Sequence, residues 1–264
     1  MSLIGNTTLS FTEEQAMLLD VAREFCRDKS PITEVRAQLE SNAGFDQSLW
    51  DEMVSLGWAG IALPESYGGS GLGVGSLVPV VECMGRAMLG TPLISSALAG
   101  QLLLRAGNAQ LAERLLPAIA AGAPATLALL DNGDWGDEGI GLNLDDEHVL
   151  CGVKKCVPDA SVASLFVVSV SFQGKAALAI VRADQLGAQS LSHNTLIDQT
   201  KRAANVDFNG IVVDESNVIV GPSVAAALRD IRLLGALLVA AEATGSAAAC
   251  LDTTVEYLKT RKQF

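Results

Sequence analysis

Apolar residues recur at three- and four-residue intervals from residue 11 to about residue 122. The texture then changes to short β-branched runs as far as about residue 220, and a helical period returns from 228 to 260. In the first zone Thr12 and Gln15 stand three apart, the spacing of a capping box that opens a helix with Phe25 and the aliphatics before it on one face. A second helix is predicted to open at Asp46, to carry Trp50, Met53 and Leu56 toward a core, and to end at Gly57. The Gly- and Pro-rich stretch 64–73 reads as an irregular turn between helices. Its glycines invite a dinucleotide loop, but no strand precedes them and the G-x-G-x-x-G spacing is never completed, which argues against that reading. Further helices are predicted over 78–88 and 110–121, with Pro117 interrupting the latter.

Strands are predicted at 126–130, 148–153, 165–170, 176–181, 204–208 and 218–220, a spacing that suggests an antiparallel sandwich or barrel. The fold class expected is therefore a multidomain α and β protein: a helical domain over 1–122, a β domain over 123–222, and over 223–264 the first long helix of a further helical bundle. The apolar face of that last helix is wide enough to need helical partners that the sequence does not supply. The expectation is a truncated chain, or one that docks to another subunit through this helix.

Composition narrows the partners. At 264 residues and 49% hydrophobic content the chain can bury a substantial core. A net charge of −12 disfavours nucleic acid and anionic membrane surfaces, so an anionic ligand must find a locally basic pocket. The start of the chain lacks a basic segment followed by a long apolar run, and 233–241 is too short to cross a bilayer, so no membrane insertion and a cytoplasmic location are expected. The five cysteines lack the spacings of a zinc site or disulfide framework and read as buried free thiols. His148 and His193 have no ligand-like neighbours, which argues against metal catalysis and a Ser-His-Asp triad and leaves both as surface or loop residues.

Four strings, in order along the chain, carry a family resemblance. The run 63–71, Leu-Pro-Glu-Ser-Tyr-Gly-Gly-Ser-Gly, matches a PE-x-x-GG-x-G turn, and 113–122 looks like the passage from a helical into a β domain. Gly152 and Lys154 with 163–168 resemble a paired G-x-K and A-D-x-x-x-V, and 242–264 closely resembles a G…Y…R-x-Q-F-G helix. Together they resemble the acyl-CoA dehydrogenases. That resemblance implies FAD-dependent removal of two hydrogens from an acyl-CoA thioester, with a carboxylate taking the α proton and the β hydrogen leaving as hydride to the flavin. It also implies an electron-transfer flavoprotein as acceptor and a homo- or hetero-oligomer built as a dimer of dimers. The alternative is a non-catalytic or flavin-poor structural subunit of a heteromeric dehydrogenase.

Residue by residue, Arg261, Gln263 and Phe264 match R-x-Q-F, whose arginine in the family reaches the FAD pyrophosphate of a neighbouring subunit, a task suited to a guanidinium fork. Where the family has a Thr-Glu-Pro turn under the flavin, this chain has Leu130 and Asp131 followed by Asn132, with Asp131 aligned to the hydroxyl. An anion facing the flavin's electron-rich edge is unfavourable, so either this carboxylate turns away or the flavin is absent. The loop after Asp134 lacks the usual Gly-Ser-Asp. In place of Lys-x-Trp-Ile-Thr-Asn stand residues 154–159, so Cys156 replaces the aromatic against the isoalloxazine and Pro158 replaces a hydroxyl, offering neither hydroxyl nor backbone donor. The family's base lies beyond Phe264, or, in a subset, at a position aligned with Gly235, which has no carboxylate. Glu242 reads as a helix-packing acid, or one facing a polar interface, and is not assigned as the base.

Overall fold

The computed structural model describes residues 12–41, 43–134 and 139–263. Thr12 caps α1 (Glu13–Lys29) with both halves of the capping box formed, and Asp46 caps α3 (Gln47–Ser55) by accepting from the Ser48 amide. Between them lies α2 (Ile32–Leu39), and after them come α4 (Leu77–Ala87), α5 (Leu93–Arg105) and α6 (Ala109–Ala120). Trp50, Met53 and Trp58 pack with Leu77, Val80 and Met84 of α4 in one core. Pro117 does not interrupt α6. The helix runs through it, with Leu116 and Ile119 buried on either side, so packing outweighs the lost backbone bond.

The stretch 64–73 is a turn whose glycines serve backbone crossing. Gly69 lies where a Cβ would sit 2.2 Å from the Leu63 carbonyl oxygen, while the amides of Ser70 and Gly71 bond the carbonyls of Gly60 and Leu63.

The β part follows as β1 (Ala125–Ala128), β2 (Asn143–Leu144), β3 (Leu150–Cys151), β4 (Val153–Pro158), β5 (Leu165–Phe172), β6 (Lys175–Arg182), β7 (Leu191–His193), β8 (Ala203–Asp207) and β9 (Val218–Val220). A six-stranded sheet runs β3-β2-β5-β6-β9 with β1 also on β5, and a three-stranded sheet runs β4-β8-β7. The two-sheet architecture is the one expected, but the larger sheet is mixed, because β1 and β2 both pair with β5 in parallel. Leu165, Val167, Leu178 and Ile180 face the helices, whereas Phe166, Val168, Ala179 and Val181 face the smaller sheet. Burial on both faces is why β5 and β6 read as continuous apolar runs rather than alternating ones.

The last helix, α7 (Pro222–Thr260), starts six residues before the apolar period becomes legible, with Pro222 at its first turn. Its 39 residues span about 58 Å. It crosses α4 at two glycines. A Cβ on Gly85 would lie 2.0 Å from the Glu242 carbonyl oxygen, and one on Gly245 would lie 1.9 Å from that of Glu82. Beyond the crossing, residues 251–263 are exposed throughout. No helix among the described residues is long and apolar enough to cross a membrane.

Candidate functional site at the β1–β4 face

The sheet register brings four of the expected site residues together. The Lys155 amide donates to the Leu130 carbonyl at 2.7 Å, and the Thr126 hydroxyl donates to the Pro158 carbonyl at 2.6 Å, so the end of β1 lies beside β4. Leu130 and Cys156 are half-buried there and Pro158 is exposed.

Asp131 does not face outward from this surface. One carboxylate oxygen lies 2.7 Å from the Lys154 ammonium, and the other accepts from the Leu142 amide at 2.8 Å. Lys154 is fully buried and also donates to Ser169 Oγ at 2.9 Å. Burial pulls the Lys154 pKa below its ordinary value, and the hydrogen bond and charge of Asp131 oppose that shift. The Asp131 carboxylate is thus directed onto Lys154 and the Leu142 amide. The acid neutralises an internal cation.

Backbone strain gathers at β4. Register slips between Lys154 and Val157, and Cys156 within that bulge has φ 49°. Bulges re-aim side chains and recur beside functional surfaces. The Cys156 amide is taken by Asn205 Oδ1 at 3.1 Å, and burial pushes the thiol pKa up, so the thiolate is disfavoured. Immediately after β4, Asp159 has φ 51°, a left-handed conformation that an Asp tolerates better than most residues.

The Asp159 carboxylate accepts from Ser95 Oγ at 2.6 Å, and its amide donates to the Arg202 carbonyl at 2.9 Å. Burial pushes the Asp159 pKa up to about 6, opposed by the Ser95 hydrogen bond and the charge of Lys201 and reinforced by Glu242. Glu242 is itself ion-paired to Lys201, so it faces a polar contact as its place in the apolar helix suggested. Ser95 was not foreseen as a site residue, because the helix that carries it has no legible apolar period.

The raised Asp159 pKa sets a pH dependence with a definite sign. The folded state holds this proton more tightly than the unfolded chain, so stability falls as pH rises from about 4 to about 6 and stays lower above that window. Asp159→Asn should remove the component, roughly 1–3 kcal/mol, and flatten the difference between the two unfolding curves above pH 6. Urea titrations of both proteins from pH 4 to 8 measure it, and parallel curves would contradict it.

Arg261 and Gln263 are placed elsewhere. They stand on the exposed run just beyond α7, the Arg261 guanidinium lying 5.5 Å from the Tyr257 ring centroid, and none of the described residues covers them. Phe264 lies outside the described residues. Gly235 faces Leu98, which a Cβ there would meet at 3.6 Å. His148 stacks on Phe172 in a turn and His193 is exposed on β7. All five cysteines are free, but only Cys26 and Cys83 are buried, whereas Cys151 and Cys250 are exposed, contrary to the expectation of buried thiols throughout. Among the described residues no cluster of three or more His, Cys, Asp or Glu is arranged to hold a metal.

Residues 12–123 match the family model "Acyl-CoA dehydrogenase, N-terminal domain". A solved structure described as the Tcur3481-Tcur3483 steroid ACAD G363A variant is 31% identical, with TM-score 0.80, and the match covers 96% of this chain and 68% of that one. The chain belongs to the acyl-CoA dehydrogenase family. Acyl-CoA dehydrogenase IpdE2 of Mycobacterium tuberculosis is 29% identical over 255 residues, 96% of this chain and 66% of that protein. The ChsE4-ChsE5 complex from Mycobacterium tuberculosis superposes with TM-score 0.82 at 26% identity, covering 97% of this chain and 69% of that one. The chain thus spans about two thirds of the length of the relatives it matches.

Proposed function

We propose that this chain takes part in the FAD-dependent α,β-dehydrogenation of an acyl-CoA thioester, contributing one wall of a flavin site that a neighbouring subunit helps to complete. The observation that carries this reading is the inward turn of Asp131 onto Lys154, which clears a carboxylate from the face formed by Leu130, Cys156 and Pro158. That face fits a flat, partly apolar ring, and the exposed Arg261 guanidinium fits a pyrophosphate carried by another subunit. When bound, FAD would supply the hydride acceptor.

The chain's own part is positioning. Leu130, Cys156 and Pro158 would hold the ring by shape and exclude water, since the Cys156 amide is already taken by Asn205 and Pro158 has no N–H. Arg261, with Gln263 beside it, would anchor the cofactor's phosphates at the subunit boundary. The α proton would go to a carboxylate outside these residues, because Gly235 has none and Glu242 is held by Lys201. An electron-transfer flavoprotein is the proposed acceptor.

The weak donor set at β4 favours one second reading, a flavin-poor subunit paired with a flavin-bearing one. The relatives described as Tcur3481-Tcur3483 and as the ChsE4-ChsE5 complex, both named as pairs, support it.

Arg261→Ala tests the shared-site reading. It should lower the flavin content of the purified assembly by tenfold or more, on the order of the loss of one bidentate charge-assisted contact. The thermal unfolding midpoint of the flavin-free protein should not move, since Arg261 is exposed. Full flavin retention would remove Arg261 from the site.

A further inference from the structure

An acid at Asp159 carries a desolvation cost that its backbone conformation does not call for. Its backbone is left-handed, a conformation in which Asn and Asp are both enriched, so φ alone does not call for an acid. Its charge is desolvated by its surroundings, which an amide would avoid. What the carboxylate gains is a short charge-assisted bond from Ser95, a buried residue on the first turn of α5. Ser95 Oγ also lies 3.1 Å from the Pro92 carbonyl, but its single proton serves one acceptor at a time, and the carboxylate at 2.6 Å is the stronger.

The backbone around Asp159 explains where this bond acts. The Asp159 carbonyl accepts from the amides of Val162 and Ala163, and its amide is held by the Arg202 carbonyl. Arg202 is itself pinned by carbonyls of Gln38, Leu39 and Ser41 at the end of α2. One residue back, the Pro158 carbonyl is held by Thr126, and two residues further back Cys156 occupies the bulge. The Ser95 bond is therefore the side-chain tie between the strained end of β4 and the helical part of the molecule at α5.

We propose that Asp159 is a positioning residue: acting through Ser95, it fastens the end of β4 that carries Cys156 and Pro158 to the first turn of α5, and so holds the proposed cofactor-facing surface in place. The charged neighbours are the Lys201–Glu242 pair, which joins the same junction to α7. The inference rests on the flavin reading for its functional consequence, but the mechanical tie it describes exists with no ligand bound.

Hydrogen exchange on the ligand-free chain at neutral pH tests the tie, and flavin binding tests its consequence. Asp159→Ala and Ser95→Ala should each speed exchange at the Cys156 amide roughly tenfold or more, the loss expected of one hydrogen bond to a charged acceptor, while Val168 at the centre of β5 is unchanged. Asp159→Asn, whose side-chain carbonyl can still accept from Ser95, should keep Cys156 within about threefold of wild type. In whichever form of the protein binds flavin, the two alanine variants should weaken FAD binding roughly tenfold and Asp159→Asn should restore it. Wild-type exchange at Cys156 in both alanine variants, or an Asp159→Asn protein as loose as Asp159→Ala, would overturn the proposal. If exchange changes as expected while no form of the wild-type protein binds FAD, the tie stands and the flavin reading fails.

Discussion

Asp131→Ala is expected to destabilise the protein by roughly 3–5 kcal/mol, because it leaves the Lys154 ammonium buried without its counter-charge. Lys154 has no exposed side-chain surface, and its remaining partners, Ser169 Oγ and the Leu129 carbonyl, are neutral dipoles. The substitution also orphans the Leu142 amide, which the carboxylate now accepts. Lys154→Met should cost less, since Asp131 is partly exposed and can regain water. The double variant Lys154→Met with Asp131→Leu should recover most of the loss, because the desolvation cost of the pair disappears with both charges. Urea unfolding at pH 7 measures all three. A double variant as unstable as Asp131→Ala would mean that shape rather than charge governs this position.

Gly245→Ala is expected to cost about 3 kcal/mol or more despite the better helix propensity of alanine. Propensity offers about 1 kcal/mol, but a Cβ here would stand 1.9 Å from the backbone carbonyl oxygen of Glu82, and no rotamer change relieves a backbone overlap. The α4–α7 crossing would have to widen, loosening the contact that also brings Glu242 to Lys201. Gly235→Ala on the same helix is the control. Its Cβ would meet only a Leu98 methyl at 3.6 Å, so propensity should prevail and stability rise by up to about 1 kcal/mol. Equal effects at the two positions, read from urea midpoints, would contradict the close crossing.

These two sites show what a linear reading captures. The caps at Thr12 and Asp46, the order of helical, β and helical zones, and the long final helix follow from local chemistry, and each is present. Helix α5 escaped because most of its residues are buried on several sides, which erases the apolar period. The parallel pairs of β1 and β2 with β5 escaped because an apolar run does not identify its neighbour. Leu130, Cys156 and Pro158 are picked out by resemblance alone, and their neighbourhood depends on the end of β1 lying beside β4, a pairing that sequence spacing does not encode.

The direction of Asp131 depended on Lys154, 23 residues away, and was not readable from its own turn. The role of Asp159 was hidden for the same reason, since Ser95 precedes it by 64 residues on a helix that was not foreseen. Polar ties across sheet and helix are set by register and packing, which sequence spacing does not encode.

The most direct measurement is the visible absorbance spectrum of the protein purified alone and again after co-expression with a second subunit of the same family, followed by anaerobic addition of an acyl-CoA. A shared flavin site predicts little colour alone, a flavin band when paired, and bleaching of that band by acyl-CoA. A protein that stays colourless in every pairing would contradict a flavin role, and a fully yellow, acyl-CoA-bleached protein purified alone would contradict a site completed by a different subunit.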